Sequence, residues 1–316
     1  MIGSSEILQL FYQVLLLVVM LVPGFIFRKL KFGEEKFAKG LANLTLYVGQ
    51  PFLIIKPFLT DFRMDIVENM IQIAVFSIVA HALFFVVAIL SFKKVPVEKQ
   101  KVFRFAVIFS NAGYMGIPLI EAFMGSEAAI YAAIYQIGFN LFIWSLGCYI
   151  YSEDKKYMSV KKMFINPATV SIAIGLVFFL TPLNRYVTGF EPLNECIKAL
   201  SGMVSPLVMI LVGFHMAAVD WKTIFKDFEL YKCIFLRLIL CPILIWAALR
   251  GLMIVGLCSE VAMKVVLISS ATPCATSVGV FAEKFNCDTI TSGKLVPIST
   301  ILALGTMPLV ALLLMI

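Results

Sequence analysis

Charge is scarce in this sequence. Asp, Glu, Lys and Arg make up 14% of the 316 residues, against 61% hydrophobic. A water-soluble domain of this length needs a far more polar surface, so a soluble fold is excluded. Histidine is limited to His81 and His215. The seven cysteines, Cys148, Cys196, Cys233, Cys241, Cys258, Cys274 and Cys287, are spread singly with no C-x-x-C pair. That set forms no metal-ligand cluster, and the cysteines read as small apolar fillers. Acids are nearly missing from the apolar runs, so no nucleophile–His–acid set can be composed and no catalytic residue or cofactor is assigned. The absence of G-x-x-x-x-G-K-[ST] excludes direct use of ATP. Basic residues are dispersed along the chain, which excludes a nucleic-acid surface despite the net charge of +7.

What is present is a recurrence of apolar stretches about 20 residues long, the length a helix needs to cross a bilayer. The expected spans lie near 6–27, 38–59, 66–91, 102–123, 127–151, 165–182, 194–216, 229–252, 261–282 and 291–315. The first has Glu6 as its only charge before Arg28 and is too long for a cleaved apolar region, so it reads as a retained helix. Short connections leave no room for an extramembrane domain, and the chain reads as a single membrane unit.

Lys and Arg alternate between the two sets of connections. Nineteen fall on the links after spans 1, 3, 5, 7 and 9, Lys222 and Lys226 among them, and six fall on the opposite side. The positive-inside bias then places both termini outside the cell membrane and the link Ser152–Phe164 in the cytoplasm.

The two halves of the chain resemble each other. LYVGQPFLI in span 2 and SGMVSPLVMI in span 7 each carry one mid-span proline, Pro51 or Pro206, after a small or polar neighbour. VIFSNAGYMGIPL in span 4 and LISSATPCATSVGV in span 9 each run from serine through small residues to a proline and a glycine. The shared order implies an inverted repeat of five helices each, about 1–151 and about 165–316. Spans 4 and 9 are the most interrupted, and such paired segments point to a transporter's binding site. Pro118 and Pro273 lack an N–H, while Gly113 and Gly116 admit unusual dihedrals. The freed backbone groups must face protein or a watery cavity. Two positive half-helix ends meeting at the midplane would suit an anion.

These motifs carry a family resemblance. SNAGYMGIPL, TPCATSVGV and the late ISTILALGTMPLVALLL resemble the auxin efflux carrier family of membrane transporters, over nearly the whole chain. The short Ser152–Phe164 link looks like the compact bacterial branch, whose named members are malate and malonate permeases. The resemblance implies an all-α membrane fold similar to sodium–bile acid symporters, with ten transmembrane helices. Helices 1, 2, 6 and 7 would form a scaffold, helices 3–5 and 8–10 a core whose helices 4 and 9 cross.

The candidate substrate residues are Asn111, Gly113, Tyr114, Gly116 and Pro118 in span 4, and Ser270, Thr272, Pro273 and Cys274 in span 9. Gln50 and Ser205, beside Pro51 and Pro206, are expected to face them across the transport path. Asn111 is the sharpest candidate, as a carboxylate contact or as an amide that ties off its own helix. His81 is read as a packing histidine or a proton-coupling group. Gln136 and Asn140, one turn apart, share a face that can support the crossing. Arg237 is expected to snorkel to the cytoplasmic interface, His215 to lie at an interface, and Glu121 to be a rim residue. The function expected is secondary transport of a small organic anion such as malate by alternating access. An anion channel and a membrane sensor of small organic acids are the alternatives. The lipid bilayer is a partner, and a homodimer is compatible with this reading.

Overall fold

The computed structural model describes residues 4–221 and 227–316, so Lys222 and Lys226 of the charge count lie outside the described residues. The described chain is helical from end to end, with no β-strand and one isolated bridge between Ser110 and Cys274. Among the described residues, seven helices are long and apolar enough to cross a membrane: Glu6–Lys29, Met64–Ser91, Ser126–Ser152, Lys155–Leu180, Glu191–Met216, Phe228–Ile254 and Thr289–Met315. The chain is a multi-pass membrane protein.

The other three expected spans are helical but interrupted. Residues 35–58 run as Glu35–Leu44, a wide π turn at Thr45–Gly49, Gln50–Ile55 and a tight turn at Lys56–Phe58. Expected spans 102–123 and 261–282 each divide into half-helices, Val97–Ile108 with Ile117–Met124 and Glu260–Ala271 with Ser277–Lys284. The Ser152–Phe164 link contains two helical turns, because the side chains of Asp154 and Ser159 accept from the backbone N–H groups of Lys156 and Lys162 and cap them.

Proline explains most of the irregular turns. A π turn precedes Pro51, another at Ala112–Gly116 precedes Pro118, and a third at Leu236–Leu240 precedes Pro242. A proline ring clashes with the carbonyl one turn earlier and offers no N–H to it. Widening that turn moves the carbonyl away without ending the helix. The π turn at Ile143–Gly147 has no such proline, and its cause is not evident in the sequence.

Close helix contacts rest on small residues, as expected where lipid supplies no hydrophobic drive between helices. A Cβ on Gly24 would lie 1.8 Å from the Ile210 carbonyl oxygen, and one on Gly213 would lie 1.9 Å from that of Leu21. Helices Leu21–Lys29 and Val204–Met216 therefore touch backbone to backbone. Ser77 meets Gly138 in the same manner, its hydroxyl accepting from the Gly138 N–H at 3.2 Å. Ser126–Ser152 is the most enclosed of the long helices, with 61% of its apolar window buried, and Glu6–Lys29 the least, with 28%. The centre is thus built around the broken segments and helix Ser126–Ser152. Leu8, Tyr12, Leu16 and Val19 are exposed along one face of the first helix and fit a lipid-facing stripe.

Candidate functional site

The two breaks meet. Helix Val97–Ile108 stops where Phe109, Ser110 and Asn111 leave helical geometry, and helix Glu260–Ala271 stops before Thr272–Thr276. The stretches run antiparallel: the Asn111 N–H donates to the Pro273 carbonyl at 2.8 Å, and the Ala275 N–H donates to that of Phe109 at 3.0 Å. Each break thus satisfies part of the backbone that the other frees, an arrangement that tolerates irregular backbone away from water. The first break thus precedes Pro118, which sits in the opening turn of Ile117–Met124, whereas Pro273 lies inside the second break.

The expected pair of positive ends is only part of the crossing. The C-terminal ends of Val97–Ile108 and Glu260–Ala271 arrive at the same place as the N-terminal ends of the following half-helices. Those C-terminal carbonyls are held by Arg237, which corrects its expected interfacial position. Its side chain is 0% exposed. Nη1 donates to the Val107 carbonyl at 2.8 Å and to the Ile108 carbonyl at 3.3 Å, and Nη2 donates to the Ser270 carbonyl. The guanidinium also lies over the Phe84 ring, 4.9 Å from its centroid. Arginine can bond three inward carbonyls from one rigid fork, so it stays where burial would otherwise be prohibitive. Hydroxyls complete the set: Ser110 Oγ donates to the Ser269 carbonyl at 3.1 Å, and Thr272 Oγ1 to the same carbonyl at 2.8 Å.

Other polar groups at the crossing are left open. Asn111 Nδ2, Gln136 Nε2 and Ser269 Oγ are buried without a hydrogen-bond partner. Asn111 and Gln136 are each 3% exposed, Ser269 0%. A Cβ on Gly113 would lie 3.3 Å from Gln136 Oε1, and one on Gly116 would lie 4.0 Å from Ser269 Oγ. These groups therefore border the same π turn, Ala112–Gly116. An unpaired amide N–H₂ costs on the order of 1–3 kcal/mol when buried, so such a group implies a missing acceptor.

Tyr114 joins this site to residues 35–58 and 191–216. Its hydroxyl donates to Gln50 Oε1 at 2.9 Å, while Ser205 Oγ donates to its backbone carbonyl at 2.8 Å. Gln50 and Ser205 thus meet the first break through one residue. Ser270 lies at the second break, its hydroxyl sharing a 3.1 Å hydrogen bond with Tyr135. Cys274 is buried beside it, and its N–H donates to Ser299 Oγ at 3.2 Å. Asn140 Nδ2 donates to the Gln136 carbonyl at 2.8 Å and so serves its own helix.

His81 is not part of this cluster. Nδ1 is bonded to the Ser77 carbonyl at 2.7 Å, Nε2 has no partner, and the ring is surrounded by Phe84, Phe109, Tyr135, Phe139 and Phe142. His215 is half-buried against Phe214 at the end of its helix. Glu121 is more than a rim residue, since its carboxylate pairs with Lys56 at 2.9 Å, with each side chain about one-third exposed. At the other end of segment 35–58, Lys39 pairs with Glu283 at 3.5 Å in a more exposed setting.

The site's further contributors differ in how far the sequence marks them. Arg237 had a visible signal, a charge well inside an apolar run. Ser269, Tyr135 and Ser299 had none, because serine and tyrosine are common in membrane helices and only tertiary contact places them here.

A helical membrane protein whose broken segments pair around buried, unpartnered polar groups has the form of a transporter. The chain belongs to the membrane transport protein family, whose model matches residues 9–311. It is 25% identical over 313 residues, 97% of each chain, to an uncharacterized transporter of Methanothermobacter thermautotrophicus. A second uncharacterized transporter, from Methanocaldococcus jannaschii, is 24% identical over 215 residues, 65% of this chain and 68% of that one.

Proposed function

We propose that the protein is a secondary transporter of a small organic anion, a carboxylate such as malate, bound where the two broken segments cross. The observation that carries the reading is the set of open donors, Asn111 Nδ2, Gln136 Nε2 and Ser269 Oγ, each buried with no acceptor. A carboxylate supplies acceptors and no donors, and charge-assisted bonds to it are strong. The N-terminal ends of Ile117–Met124 and Ser277–Lys284 add favourable dipoles.

In this reading the three interrupted segments also cross the bilayer, giving ten spans in an inverted repeat of five and five. Residues 35–58 belong to the scaffold and the crossing belongs to the core. Substrate lies between them near Tyr114, Gln50 and Ser205. Movement is by alternating access in the cell membrane, with both termini outside. The ion pairs Lys56–Glu121 and Lys39–Glu283 support such rocking, since each joins one end of segment 35–58 to one outer half-helix of the crossing. We assign any proton coupling to His81, an ionisable side chain buried inside a span with its Nε2 unpartnered.

The test is flux of labelled malate, malonate and organic cations into proteoliposomes under imposed pH and Na⁺ gradients. Saturable carboxylate uptake lost in Asn111→Ala supports the reading. Transport of cations without carboxylates refutes it. Ion currents far above carrier turnover would instead favour a channel.

A further inference from the structure

We infer that Arg237 is the protein's own cation at the crossing, and that the site consequently binds its anion without a bound Na⁺ or other inorganic cation. The inference rests on the transporter reading given above. Its warrant is the placement of the guanidinium and the charge it meets.

Two helices of 12 residues, Val97–Ile108 and Glu260–Ala271, end at the crossing. Each C-terminus carries a partial charge of roughly −0.5 from its open carbonyls. Together they present about one negative charge in a setting shielded from water, beside the place where a second negative charge is to bind. An uncompensated pair of ends would repel that anion. Open carbonyls at such breaks are ligands for a small hard cation. Here the guanidinium already uses three of them, those of Val107, Ile108 and Ser270. The Ser269 carbonyl is taken by Ser110 and Thr272, Phe109's by Ala275 and Pro273's by Asn111. One fixed charge thus balances both helix ends, and these six carbonyls, which a cation at the crossing would draw on, are occupied.

The side chain is locked where it sits. It leaves its own helix from the π turn Leu236–Leu240, which widens the backbone ahead of Pro242, and it is backed by the Phe84 face. It also spans both breaks, and movement of the two as one body keeps it in place. Arg237 is therefore a positioning residue: it sets the electrostatics and the geometry of the crossing through the carbonyls that Nη1 and Nη2 hold, while its Nε is buried without a partner.

The experiment compares wild type with Arg237→Lys and Arg237→Gln, purified in detergent and reconstituted. Lysine keeps the charge and loses the fork; glutamine keeps a donor and loses the charge. The wild-type unfolding temperature and malate flux should be the same in NaCl, KCl and choline chloride at equal ionic strength. Arg237→Lys should retain most of the flux, and Arg237→Gln should fall about tenfold or more, because the anion then meets two uncompensated helix C-termini. In Arg237→Ala, low millimolar guanidinium chloride should raise the unfolding temperature and restore part of the flux, with no such effect on wild type. Stabilisation of wild type by Na⁺ against choline would overturn the inference, as would equal behaviour of the Lys and Gln variants. If no variant folds, the cation dependence of wild-type unfolding decides alone. If malate is not the substrate, the flux arms fail in every protein while the unfolding arms still report on Arg237.

Discussion

The two breaks have nearly the same backbone and different chemistry. Each follows a helix of 12 residues, each leaves helical geometry for a few residues, and each donates one N–H to the other. The first break ends in an amide, Asn111, whose Nδ2 is open, and it re-enters the helix through a π turn. The second has no amide at all; Thr272 turns back on the Ser269 carbonyl, and Pro273 and Cys274 contribute backbone. Likeness between the two broken backbones need not be likeness in their chemistry. The first break offers its amide, and the second offers the Ser269 hydroxyl of the helix before it and the backbone that holds Asn111 in place.

The largest effect should come from filling the turn between them. A Cβ at Gly116 would lie 3.8 Å from Thr272 Cγ2, ordinary contact, so Gly116→Ala is expected to fold and carry substrate. Gly116→Leu has nowhere to place its remaining atoms and should abolish flux. At Gly279 on the second side nothing lies within 4 Å, and Gly279→Ala should be silent. Equal flux from the two leucine variants at 116 and 279 would remove the asymmetry.

Asn111→Ala comes next. Losing one donor to a charged ligand is worth about 1.5–3 kcal/mol, or about 10- to 100-fold in substrate affinity. Thr272→Val, which removes only a local bond to a carbonyl, should change affinity by less than about threefold and act on stability instead. Ligand titration by thermal shift separates them, and a larger affinity loss in Thr272→Val would place the site on the second break.

Ser110→Ala deletes one buried bond between the breaks, to the Ser269 carbonyl. About 1 kcal/mol of stability should be lost, seen as a lower unfolding temperature, with affinity nearly kept. The smallest effects belong to the ion pairs. Lys56→Gln and Lys39→Gln should each cost well under 1 kcal/mol, since both pairs face solvent at least in part. Their use is in kinetics: Lys56→Gln should alter the balance of inward and outward flux more than Lys39→Gln, the Lys56–Glu121 pair being shorter and less exposed. Identical flux ratios in the two variants would leave those pairs without a role in gating.

Much of this was legible in the residues. Apolar length alone calls for membrane helices, because a bilayer has one thickness and an unpaired peptide group has no partner inside it. The prolines and glycines of FSNAGYMGIPL and SSATPCATSVGV mark interruptions for an equally local reason, a missing N–H or a missing Cβ. Asn111 stood out since an amide at such a place must bond something. What the sequence could not supply was partnership. That Asn111 bonds Pro273 through its backbone, leaving its side chain open, depends on residues 162 positions apart meeting antiparallel. Arg237 looked like a residue bound for the interface, because a lone charge in an apolar run has a cheap escape along its own helix. Only the arrival of two foreign helix ends beside it, with three carbonyls pointing inward, makes the centre of the protein its lower-energy position.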